Sequence, residues 1–325
     1  MDLLRVQGLR TCFFDGNNET KAVDDITFNL GYKEILGLVG ESGAGKTLTG
    51  RSVIRLIPPT GRIVAGKILF KGRNLLDLSE DEMRKIRGKE ISVIQQDPLS
   101  SLNPSFKIKD QMIDVLRLHL GLRGDEAYSK VIQLLRQVGI SDAIGTMNKY
   151  PHQLSGGMCQ RVMIAVAFSC EPSLVIADEP TTALDVITQL QIIDLMKMVQ
   201  DKHNTSIIFV THNMGLASKI CDRVSVMYAG KIAELAPVSK IFQSPKHPYT
   251  KALLKTIPRY DVKARILYSI KGSMPNPAYL PSGCSFHPRC DEAMKTCYDV
   301  VPMLTNVGEE HFVSCLLFPE CRGRR

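Results

Sequence analysis

"EILGLVGESGAGKT", residues 34 to 47, is the stretch that decides the fold. Its first half, up to Val39, is a short apolar run of the kind that forms a buried strand. Gly40 to Thr47 then fits G-x-x-x-x-G-K-[ST] at every fixed position, and "KTLTGRSVIRLI" continues with helical spacing. A strand, a glycine-rich loop and a helix N-terminus in that order make a phosphate cradle. The glycines let backbone N–H groups wrap the anion, and the helix end favours negative charge. Lys46 is expected to reach the β- and γ-phosphates of a nucleoside triphosphate, and Thr47 to coordinate Mg²⁺ through its hydroxyl.

The flanking sequence predicts an α/β domain. Residues 1 to 30 alternate apolar and polar around the turn "DGNNET", and "KILFKG" follows the breaker "PPTGRIVAG" as a further strand. From about 106 to 170 the spacing is helical, as in "IKDQMIDVLRLHLGL" and "DEAYSKVIQLLRQVGI". Strand and helix then alternate: "SLVIAD", "TQLQIIDLMKMVQDKH", "TSIIFVTH", "NMGLASKI" and the strand pair "RVSVMYAGKIAELA". That alternation implies a mostly parallel sheet with helices packed on it. Past a short helix in "SPKHPYTKALLKTIPRY", the stretch "GSMPNPAYLPSGC" is too irregular for another sheet layer. A boundary near 258 therefore divides residues 1–258 from a segment 259–325.

"LVIADEP", residues 174 to 180, supplies the second half of a phosphate site. Four apolar residues carry a strand to its end, where Asp178 and Glu179 emerge side by side. Asp178 is expected to hold Mg²⁺, directly or through water, and Glu179 to polarise the attacking water as a general base. Two such carboxylates need a cation beside them.

The 325 residues carry a formal charge of +8, with 44% apolar and 23% charged residues, the balance of a soluble globular protein. No run of like charges suggests a nucleic-acid tail, and no apolar run is long enough to span a bilayer. The start "MDLLRVQGLRTCFF" lacks the pattern of a signal peptide, so a cytosolic, soluble or peripheral protein is expected.

"LSGGMCQR", residues 154 to 161, resembles the signature sequence of ATP-binding-cassette proteins, and the family's other motifs follow in order. "QQDP" resembles the Q-loop with Gln96, "TTALD" the D-loop ending at Asp185, and "VTHN" the switch histidine, His212. Phe13 or Phe14 matches the aromatic that stacks on adenine. The resemblance implies a P-loop cassette fold: a mostly parallel core sheet, an antiparallel β subdomain and a helical signature subdomain at about 98–170. It implies ATP contacts from Phe13, from Gly40, Glu41, Ser42, Gly43, Ala44, Gly45, Lys46, Thr47 and Leu48, and, across a dimer of cassettes, from Ser155, Gly156, Gly157, Gln160 and Asp185. Glu179, His212 and Gln96 would be catalytic, and Thr47, Gln96 and Asp178 would surround Mg²⁺. Cys159 stands where arginine is common, with Ser155, Gly156 and Gly157 intact.

"QQDPLSSLNP", "SPKHPYTKALLKTIP" and the tail "LPSGCSFHPRC" narrow the resemblance to ATPases of oligopeptide/dipeptide importers, a group that includes nickel importers. The resemblance implies a motor on the cytoplasmic face of a bacterial or archaeal membrane. Its partners would be two transmembrane permeases, a second cassette ATPase, related or identical, and an external solute-binding protein; no nucleic acid is expected. Nickel or metal–chelator import is an alternative cargo. A soluble cassette ATPase acting on nucleic acid or ribosomes is a further alternative, set against one cassette and no sustained heptads.

Five of the nine cysteines fall in the last 42 residues. Cys284, Cys290, Cys297 and Cys315 are separated by five, six and seventeen residues, with no C-x-x-C pair. That weakens a zinc-ribbon reading, whereas four thiolates on loops of varied length can hold a [4Fe–4S] cluster. The importer family carries such a cluster on matching cysteines. Zn²⁺, free thiols or disulfides are the alternatives, and an electron-transfer role for the tail is a further reading. Cys321 reads as a spare thiol and His311 as a surface histidine. Cys12, Cys159, Cys170 and Cys221 read as buried, unreactive thiols.

Overall fold

The computed structural model describes residues 2–16, 18–182, 184–257 and 268–322, so the expected boundary at 258 lies outside the described residues. The chain forms two compact units. One comprises Asp2–Leu30, Ile35–Leu76 and the described residues from Val210 onward; the other comprises Gly31–Glu34 and the described residues of Asp77–Phe209.

The first unit carries the phosphate loop. A four-stranded sheet sets Asn18–Gly31, Asp2–Asp15, Gly61–Phe70 and Arg73–Asn74 side by side. Asp2–Asp15 runs antiparallel to Gly61–Phe70, from Leu4 opposite Phe70 to Phe13 opposite Gly61. A register shift between Gln7 and Arg10 places two residues opposite one. It moves the buried positions from Leu4 and Val6 to Leu9 and Thr11, as an extra residue in a period-two strand must.

The wholly buried strand Ile35–Val39 runs parallel to Arg223–Tyr228, with Val39 opposite Val226. Arg223–Tyr228 returns as Lys231–Pro237 through Ala229 and Gly230, both at positive φ, the conformation of a type I′ hairpin turn. Asp24 ties this hairpin to the first sheet: its carboxylate accepts from Arg10 and Lys231, each at 2.8 Å, and its N–H donates to the Gly230 carbonyl.

The stretch 272–284 contains no strand, as its composition implies, but the C-terminal segment extends a sheet farther along. Phe312–Val313 pairs antiparallel with Lys231–Pro237, and Thr305–Asn306 pairs with Phe312–Val313. Strands of two residues contain no alternation to read.

In the second unit Ile91–Ile94 and Leu174–Asp178 pair in parallel, with the beginning of Ser206–Thr211 next to the latter. The predicted helices are Ile108–Leu120, Gly124–Gln137, Gly156–Phe168 and Val186–His203. Gly124–Gln137 buries Ala127, Val131, Leu134 and Leu135, one face at helical spacing. An unanticipated helix, Glu80–Ile86, starts at a capping box of Ser79 and Glu82. Among the described residues no helix is long and apolar enough to cross a membrane.

Candidate active site

The loop from Gly40 to Gly45 leaves the buried strand Ile35–Val39 and enters the helix Lys46–Val53. Two of its glycines are sterically required. A Cβ on Gly40 would lie 2.3 Å from the Met227 carbonyl oxygen; one on Gly45 would lie 2.6 Å from that of Ala22. Gly45 also caps the helix at φ 97°, in the region that favours glycine. Lys46 is buried, and its ammonium donates to the carbonyls of Gly40 at 2.9 Å and Glu41 at 3.0 Å. Thr49 donates to the Gly45 carbonyl, and the Thr11 and Ser52 hydroxyls, 2.9 Å apart, join the helix to the outer sheet. Thr47 and Leu48 are half-buried in the first turn, Ser42 and Gly43 are exposed at the loop tip, and Ala44 is buried beneath it.

Phe13 and Phe14 end the strand Asp2–Asp15. The Phe13 ring lies against the backbone of Gly61, and Phe14 carries the Arg62 guanidinium 5.8 Å from its ring centre. His212 is exposed just after Ser206–Thr211, and Asn213 caps the next helix, Met214–Ile220.

In the second unit, Leu174–Ala177 are buried and deliver Asp178 and Glu179 to the strand end. Glu179 has φ 47°, a sparsely populated conformation for a residue with a side chain. One of its oxygens, Oε2, accepts from the Thr182 hydroxyl at 2.8 Å and from the Gln96 amide at 3.4 Å. Gln96 and Glu179, 83 positions apart, thus meet as an amide and a carboxylate, a pair that can orient a water.

Ser155 caps the helix Gly156–Phe168, its hydroxyl accepting from the Met158 N–H. Ser155 and Gly156 are exposed and Gly157 is half-buried, so this N-terminus is open to an anion. Cys159 faces inward, fully buried, and its thiol donates to the Pro151 carbonyl; burial raises its pKa. Gln160 is also buried, and its amide nitrogen has no hydrogen-bond partner among the described residues. Asp185 caps Val186–His203. The hydroxyl and N–H of Thr188 bond its carboxylate and hold its pKa below the usual range.

The four tail cysteines lie near one another. Burial pushes Cys315 up to about 12, with further contributions from Cys284, Cys290 and Cys297; burial and the thiols of Cys284 and Cys297 push Cys290 up to about 11. The Cys284 N–H donates to the Cys297 carbonyl. Among the described residues, however, no group of three or more His, Cys, Asp or Glu side chains is placed to hold a metal ion. Cys321 is fully buried, packs with Val313 and Cys315, and donates to the Val313 carbonyl.

His311 corrects the sequence reading. It is buried, with Nε2 2.6 Å from Glu234 Oε1. Glu234 also accepts from the N–H groups of Lys246 and His247. Burial would raise Glu234, but these bonds outweigh it and hold the carboxyl below its usual range. Arg289 was likewise missed; it forms two bonds to Glu41.

A family model described as ABC transporter matches residues 23–182, and one described as the C-terminal region of oligopeptide/dipeptide transporters matches 233–297. The chain is 46% identical to the oligopeptide transport ATP-binding protein AppD of Bacillus subtilis, covering 98% of this chain and 97% of that one. It is 45% identical to a putative peptide import ATP-binding protein of Brucella ovis, covering 98% of both. In fold it is similar to a solved dimeric ATP-binding cassette bound to ADP and Pi, with a TM-score of 0.65 over 72% of this chain and 98% of that one.

Proposed function

This chain belongs to the ATP-binding-cassette transporter family, and on that premise we propose that it is the ATP-hydrolysing motor subunit of an importer of di- and oligopeptides. The observation that carries this reading is its similarity, over almost its whole length, to peptide-import ATP-binding proteins. In this reading it works at the cytoplasmic face of a membrane with two permeases, a second cassette and an external solute-binding protein.

The chain's own groups divide the work. Backbone N–H groups between Gly40 and Thr47 hold the phosphates, Lys46 neutralises the terminal ones, and Thr47, Gln96 and Asp178 would hold Mg²⁺. Mg²⁺, when bound, offsets the phosphate charge. Glu179 accepts a proton from the attacking water, with Gln96 and Thr182 fixing its carboxylate and His212 facing the γ-phosphate. Phe13 stacks on adenine. Ser155, Gly156, Gly157, Gln160 and Asp185 serve the ATP of the partner cassette. The test is the ATPase of the assembled importer. Stimulation by a peptide-loaded binding protein supports the reading; stimulation by a nickel chelate alone overturns the peptide assignment.

We further propose that Cys284, Cys290, Cys297 and Cys315 hold a [4Fe–4S] cluster, within a cassette of residues 1–258 and an appended segment 259–325. Four cysteines on loops of varied length, two of them joined by the bond from the Cys284 N–H to the Cys297 carbonyl, support this reading. Its role is structural, a crosslink that contributes folding energy to the segment. Anaerobic purification with iron, acid-labile sulfide and zinc assays decides it: about four irons and four sulfides per chain support the cluster, and stoichiometric zinc replaces it.

A further inference from the structure

We propose that Arg289, in the cysteine-rich segment, is a positioning residue for ATP: it sets the conformation of the phosphate loop through Glu41. The inference rests on the ATP-binding reading above.

The Arg289 side chain is 6% exposed. Its two terminal nitrogens donate to the two oxygens of Glu41, each at 3.0 Å, a fork-to-carboxylate pair with fixed geometry. Its Nε donates to the Lys271 carbonyl at 2.7 Å, and its guanidinium lies over the Tyr228 ring. The donors of the fork are thereby aimed before the loop meets them. Glu41 is the second residue of the loop, and its other two polar groups are also engaged. Its N–H donates to the Tyr249 hydroxyl at 2.9 Å, and its carbonyl accepts from the Lys46 ammonium at 3.0 Å.

Glu41 thus transmits the position of the tail to the lysine that meets the phosphates. Tyr249, Tyr228 and Phe286 pack edge to face or tilted, with ring centres 4.7 to 5.3 Å apart. Phe286 lies between Cys284 and Cys290, so the cysteine segment contributes one ring to the platform and Tyr228 and Tyr249 contribute the other two. At the loop tip, a Cβ built on Gly43 would touch Met274 at 3.9 Å, so a second part of the tail lies against the loop. A surface ion pair would contribute little; this one is nearly closed to solvent on the arginine side and geometrically fixed. Lysine offers a point charge and cannot replace the fork.

The test measures ATP affinity and steady-state ATPase for the full chain and for Arg289→Gln, Arg289→Lys, Glu41→Gln, the double Arg289→Gln/Glu41→Gln variant and Lys46→Ala. Glu41→Gln breaks the same pair without altering the tail, which guards against a misfolded tail in the arginine variants. The expected result is a rise in KM for ATP of about tenfold in each single variant at Arg289 or Glu41. The expected kcat of the Arg289 variants stays within about twofold, and the double variant is no worse in KM than either single. A tail that merely stabilises the protein would lower kcat through lost active enzyme at unchanged KM, and that outcome overturns the proposal. Unchanged KM in Arg289→Gln alongside lost binding in Lys46→Ala also overturns it and leaves the ATP site standing. Unchanged ATP affinity in Lys46→Ala would remove the ATP site itself, and the proposal with it.

Discussion

His311 and Glu234 form a buried pair, Nε2 to Oε1 at 2.6 Å, that fastens the C-terminal segment to the strand Lys231–Pro237. The strand register places Glu234 opposite Val313, two residues beyond His311, so the hydrogen bond and the short sheet extension reinforce one another. The same carboxylate accepts the N–H groups that lead into the helix Pro248–Lys255, whose Tyr249 holds the phosphate loop.

Removing His311 takes one of several hydrogen bonds from Glu234 in a closed site. His311→Ala is expected to lower stability by about 2 kcal/mol, measured by denaturant unfolding. A change below about 0.5 kcal/mol would show that the pair does not anchor the segment.

His247 gives the protein a pH dependence. Its ring nitrogen accepts from the Tyr249 N–H, and burial lowers its pKa from 6.5 to about 4. Above pH 6.5 the ring is neutral in both states. Between 6.5 and 4 only the unfolded chain takes up a proton, so stability falls as pH falls through that window. The full effect is about 3 kcal/mol. His247→Asn retains a side-chain acceptor and is expected to flatten the slope of unfolding free energy between pH 6.5 and 4. An identical slope in the variant would contradict the assignment.

Gly45→Ala places a methyl group 2.6 Å from the Ala22 carbonyl at a φ of 97°. The loop must shift, and ATP affinity is expected to drop at least about tenfold in equilibrium binding. Undiminished affinity would mean that the loop does not cradle the phosphates.

Glu179→Gln preserves shape and removes the base. ATP binding should persist while turnover falls at least about 100-fold, read by binding and single-turnover assays. Hydrolysis at the parental rate would take Glu179 out of the reaction.

The phosphate loop was legible because its chemistry demands particular residues at adjacent positions, and Gly40 and Gly45 meet backbone that excludes any side chain. The strand Leu174–Asp178 was legible as a short apolar run, whereas its parallel neighbour Ile91–Ile94 was not. Glu80–Ile86 carried a readable capping box in "SEDE" that the apolar pattern overshadowed. The anchoring of the tail was not legible. His311 and Glu234 are 77 positions apart, Arg289 and Glu41 are 248 apart, and neither pair leaves a local pattern. His311 read as a surface histidine, yet it is buried beside the sheet extension.

The most direct measurement is peptide uptake by sealed vesicles containing the permeases, this chain and its partner cassette, with the solute-binding protein outside and ATP within. The expected result is accumulation of a labelled peptide that requires ATP and disappears when Glu179→Gln replaces the parent chain. ATP hydrolysis by the assembled complex with no peptide movement, or uptake unaffected by that substitution, would contradict it.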